Sequence, residues 1–157
     1  MTVQDHPRGG TPVGHMGDLG AVEAAAVHFL RLWADGQTGR DAAVRELVEA
    51  LGEKAGLATA LAFEALFDLC ARHGRRPLMR HDVLCGCLGA DEACFATFIS
   101  AAAEPAEEDA MLMAFLLVRA DLAPILAGLA RDVGMSLRRF ALTKTREPAR
   151  LRLKTLH

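Results

Sequence analysis

Tyrosine is absent from the chain, tryptophan occurs once, and aromatic residues together make up only 5%. β-Branched residues are sparse as well, so little in the composition favours a pleated sheet. No apolar run reaches the ~20 residues that cross a bilayer; among the longest uncharged stretches are 93–103, 110–118 and 122–130. The first twenty residues hold five glycines and two prolines but no apolar core of a secretory signal. The expected compartment is therefore the cytoplasm, without membrane contact, and the four cysteines are expected as reduced thiols or metal ligands rather than a disulfide framework. Also missing are a phosphate-binding P-loop, a dinucleotide-binding glycine fingerprint, a nucleophile elbow and an H-E-x-x-H zinc motif. No catalytic residue is assigned, and a non-enzymatic role is the first expectation.

What is present is alanine, leucine and helical spacing. Apolar residues make up 52% of the 157 residues and charged residues 24%, the balance of a globular chain. That length supports one domain with its own core. Leu19, Val22, Ala26, Phe29 and Trp33 recur at intervals of three and four and predict a first helix capped near Asp18. Thr38 with Asp41 marks the start of a second, which carries Val44, Leu47, Val48 and Leu51. A third, from Gly52 to Gly74, has so wide an apolar surface, including Leu57, Leu61, Phe63, Leu66 and Cys70, that it is expected at the centre.

Gly74, Pro77, Gly86 and Gly89 then interrupt the periodicity, leaving room for a short helical turn over 80–84. A fourth helix is predicted from about Asp91 and a fifth from Glu104-Pro105, with Met111, Leu112, Phe115, Leu116 and Val118 as its apolar positions. A last one, capped near Asp121, runs from Leu122 to about Phe140. The expectation is an all-α fold, a compact bundle of five to seven helices over 18–140, with a flexible tail at 1–17 and a basic one at 141–157. Charge divides the same way: residues 1–130 hold 10 Lys and Arg against 18 Asp and Glu, and residues 131–157 hold 8 against 2. The basic tail can bind a polyanion, fold onto the acidic body or stay solvated.

Two constellations lie between the third and fourth helices. His81, Cys85, Cys87 and Cys94 fall within fourteen residues and offer the soft and borderline ligands of a structural zinc site, or, with less to select it, an iron–sulfur cluster. If residue 80 begins a helical turn, His81 and Cys85 share a face, and Cys94 lies in the first turn of the next helix, where the dipole favours thiolate. The spacing matches no paired C-x2-C pattern. Buried packing is the competing explanation, and for Cys70, on the apolar face of the third helix, it is the expected one. A redox role centred on Cys94 is a further alternative. Arg72, Arg75, Arg76 and Arg80 make the same segment basic and could clamp phosphate, nucleic acid or another anion. Against that stand solvation and pairing with the acidic body, together with the lack of aromatic residues to stack on bases. The functional expectation is a small binding or regulatory module, possessing either a Cys/His metal site or an anion-binding loop, with a protein partner or a second copy of itself.

Overall fold

The computed structural model describes residues 8–105 and 107–154. Six α-helices account for most of them: α1 (Ala21–Ala34), α2 (Gly36–Leu51), α3 (Glu53–His73), α4 (Ala90–Ala102), α5 (Glu107–Leu117) and α6 (Ala123–Lys154). The bundle class expected from periodicity is the one observed. None of the helices among the described residues is long and apolar enough to cross a membrane.

α1 occupies the centre, packing against α2, α4 and α6. It is buried nearly all round: Ala25, Ala26, Val27, Phe29, Leu30, Arg31, Leu32 and Trp33 are all inaccessible. The expectation that α3 is central is corrected, since Leu57 and Leu61 face outward and only the Thr59, Ala60, Phe63, Leu66 and Cys70 side is buried. A wide apolar surface does not decide position; what decides is how many neighbours can reach a helix, and α3 lies mainly against α2 and α6. Phe29, Phe63, Phe95 and Phe140 join edge to face through ring centroids 5.1–6.4 Å apart and tie α1, α3, α4 and α6 into one core.

α1, α2 and α3 follow each other through single-residue links. Gly36 and Gly52 take φ of 77° and 87°, the left-handed region that glycine occupies without a Cβ clash. This reversal starts α2 at Gly36, ahead of the Thr38 cap expected from sequence. Val118, just past α5, is buried as expected, but the rest of the expected core face is corrected: Ala110 and Ala114 are buried, while Leu112, Phe115 and Leu116 are exposed. Alanine on the inner side lets α5 approach α4 and α6 closely, and the larger side chains turn outward. α6 shows a clean inner stripe of Ala123, Leu126, Ala130, Val133, Leu137 and Phe140. Gly134 sits where it meets the end of α4, and a Cβ there would come within 2.7 Å of the Ile99 carbonyl oxygen.

Both presumed tails contain regular structure. Residues 8–10 form a 3-10 turn, and β1 (Pro12–His15) pairs antiparallel with β2 (Cys87–Gly89), matching His15 to Cys87 and Pro12 to Gly89. Gly9 and Gly10 are buried there because their bare backbone fits under the loop that precedes α4. Residues 1–7 lie outside the described residues. At the other end α6 continues as helix to Lys154, past Phe140, where apolar periodicity stops.

Candidate functional site

The segment between α3 and α4 carries every predicted site residue except Arg72, in the last turn of α3, and Cys94, within α4. It contains no helical turn: one hydrogen-bonded turn, Cys85 N–H to the Asp82 carbonyl at 3.0 Å, replaces the expected helix over 80–84. Two carboxylates at the start of α4 hold this segment. Glu92, the third residue of the helix, reaches back to accept the Gly89 N–H at 2.9 Å and also accepts the His81 N–H at 2.9 Å. Asp91 accepts the Met79 N–H at 2.7 Å and a forked pair of hydrogen bonds from the Arg76 guanidinium. Carboxylates are favoured here by the positive end of the helix dipole.

Arg31 completes the arrangement from α1. Its guanidinium donates to both Glu92 oxygens, Nε to Oε1 at 2.7 Å and Nη2 to Oε2 at 2.9 Å. It also donates to the Cys85 carbonyl through Nη1 and the Cys87 carbonyl through Nη2, each at 2.6 Å. The Arg31 and Glu92 side chains are 1% and 0% exposed, so this is an ion pair withdrawn from water whose remaining hydrogen-bonding positions are filled by backbone groups. Burial by itself would push the Glu92 carboxyl up, but hydrogen bonds from Arg31, Gly89 and His81 together with the Arg31 charge outweigh it and hold the pKa below the usual value. Arg31, Asp91 and Glu92 were not singled out from sequence. One signal was present: an arginine inside the apolar run Phe29-Leu30-Arg31-Leu32-Trp33 must either break the buried face or find a buried partner.

The structure brings Cys85 and Cys87 together and leaves His81 and Cys94 apart from them. Both thiols are half-buried. The Cys87 thiol is pushed up by the neighbouring Cys85 side chain and by burial, against the pull of Arg31. His81 directs Nε2 at the Gly10 carbonyl oxygen, 3.0 Å away. Cys94 is pushed up by burial and by Asp91, with Arg76 opposing, so the thiolate expected from the helix dipole is not favoured there. Without a helical turn, His81 and Cys85 share no face. Among the described residues no group of three or more His, Cys, Asp or Glu side chains is placed to hold a metal ion. Cys70 is buried as expected, and burial raises its thiol to about 12.

The four arginines separate in the same way. Arg76 is committed to Asp91, Arg75 donates Nε to the Phe115 carbonyl at 2.9 Å, and Arg72 stands 3.8 Å from Asp68 across one helical turn. Arg80 alone of the four makes no hydrogen bond or ion pair with the described residues, and it is exposed. They form no common anion clamp, because each extends from a different turn of an irregular segment and meets a different neighbour. No protein-family model matches the chain, and no curated protein and no solved structure matches it either.

Proposed function

We propose that this protein is a small helical binding or regulatory module whose responsive group is the Cys85–Cys87 thiol pair. One observation carries the reading: the two half-buried cysteines sit one residue apart on a bend whose Cys85 and Cys87 carbonyls are both clamped by the buried Arg31, close enough for the Cys85 side chain to raise the Cys87 thiol. A dithiol held this way is suited to thiol–disulfide exchange with a small-molecule disulfide. One cysteine thiolate attacks a sulfur of that disulfide and expels one small thiolate; the second cysteine, deprotonated, then attacks the mixed disulfide and expels the other. The pair is oxidised by two electrons, and the small disulfide is reduced to two thiols. Closing an S–S bond across Gly86 turns the Cys85 and Cys87 peptide groups, and the Arg31 clamp that ties the bend to α1 and α4 loosens with them.

The zinc reading competes for the same sulfurs, which supply two of the four ligands a structural zinc needs. Reduced protein equilibrated with oxidised glutathione and then alkylated separates the two. The expected product is an intramolecular disulfide mapped to Cys85 and Cys87, absent in Cys85→Ser, together with faster amide exchange at Met16 and Gly89. Stoichiometric zinc in protein purified without added metal, lost in Cys85→Ser, would replace the redox reading. A stable glutathione adduct with no intramolecular bond would remove it.

A further inference from the structure

Beside the thiol bend, and independent of it, the loop 77–80 roofs a cavity of about 160 Å³ over α1, α3 and α4. Its walls are Leu30, Phe67, Cys70, Leu78 and Phe95, and Arg80 lies at its edge. We propose that this cavity binds a small free monocarboxylic acid with one aromatic ring or a comparably compact apolar body, the ring inside and the carboxylate on Arg80.

Size comes first. An apolar cavity of about 150 Å³ accommodates benzene, so this one, at about 160 Å³, has room for a single ring. Polarity comes second. Among the described residues no carboxylate lines the cavity, and the single formal charge there is the Arg80 guanidinium. The one ionisable group on the wall, Cys70, is kept neutral by its burial. Availability comes third. Arg76 is held by Asp91 and Arg31 by Glu92, whereas Arg80 is exposed and makes no ion pair or hydrogen bond with the described residues. A planar guanidinium can present two N–H groups side by side to a carboxylate, and the other residues lining this cavity are apolar. Inorganic phosphate, which has no apolar body, would leave the cavity unfilled.

The full-length chain titrated with benzoate, benzyl alcohol and inorganic phosphate, followed by amide and methyl NMR, tests the assignment. Benzoate is expected to shift Leu30, Phe67, Leu78 and Phe95 resonances in a saturable manner. Arg80→Gln, at an exposed site with no partner among the described residues, should fold normally and weaken benzoate by about tenfold, while benzyl alcohol binding changes by less than about twofold. Arg80→Lys should restore part of the loss. The proposal is overturned if benzoate leaves the cavity resonances unmoved, if Arg80→Gln weakens benzyl alcohol as much as benzoate, or if phosphate binds at Arg80 more tightly than benzoate. A blocked dipeptide ending in phenylalanine that binds more tightly than benzoate would overturn the free acid in favour of a chain terminus.

Discussion

The helical core and the α3–α4 loop are held by opposite means. In the core, Phe29, Phe63, Phe95 and Phe140 meet edge to face and no polar group is needed between them. In the loop, backbone N–H and carbonyl groups are gathered by three charged side chains, Arg31, Asp91 and Glu92, each at most 3% exposed. Apolar packing tolerates many arrangements of similar volume, whereas a buried ion pair tolerates only those that leave no charge alone. The loop is thus ordered without a helix or a large sheet, and can display two neighbouring thiols and an exposed arginine at defined places.

The strongest test of this contrast is Glu92→Gln, which leaves the Arg31 guanidinium buried without its counter-charge. It is expected to cost about 3–5 kcal/mol in urea unfolding, followed through the single, buried Trp33. That equals the cost expected for Phe95→Ala in the core, about 3–5 kcal/mol. Replacing both partners, Arg31→Met with Glu92→Met, should not restore stability, because the Cys85 and Cys87 carbonyls and the Gly89 and His81 N–H groups lose their partners too. A double variant as stable as the natural protein would make the clamp no more than a replaceable ion pair.

Acid sharpens the same comparison. The Glu92 pKa is held below its ordinary 4.5 in the folded state, so the stabilisation is complete above that value and is lost as pH falls through the lower folded value. The stability difference between the natural protein and Glu92→Gln should therefore be constant near neutrality and shrink below pH 4.5. Phe95→Ala has no such dependence, and a Glu92→Gln difference that is flat down to acid would place the ion pair outside the stabilising set.

Smaller effects follow at the edges of each region. Arg76→Gln leaves the buried Asp91 with its Met79 N–H. Because the Arg76 side chain is 59% exposed, about 1 kcal/mol is expected, seen as faster amide exchange at Met79 with the core amides unchanged. Arg138→Ala removes an exposed ion pair to Glu104 and a hydrogen bond to the Ala103 carbonyl, and should change stability by less than about 1 kcal/mol. A larger loss would show that the contact between α6 and the end of α4 depends on charge and not on the close approach at Gly134.

The helices were legible because a side chain's position on a helix follows from its own spacing. The buried face of α4 came directly from residues three and four apart. Where two faces were both apolar the choice was not legible: Leu112 and Leu116 were expected inside α5, and alanines took those places because helix approach favours the smaller residue. At the candidate site the same limit is sharper. Cys85 and Cys87 were marked as neighbours by sequence, but His81 was joined to them by assuming a helical turn that is absent, and Cys94 by its place near the start of α4.

By itself the sequence determined the all-helical class, most helix boundaries, the burial of Cys70 and the irregularity of the segment before α4, all of which rest on local spacing, propensity and chain-breaking residues. Tertiary structure decided that α1 and not α3 is central, that residues 12–15 pair with residues 87–89, and that one arginine of four has no partner among the described residues. The physical reason is distance along the chain: Arg31 meets Glu92 across 61 residues, and a buried charge selects its partner only when folding has removed the water that would otherwise solvate it.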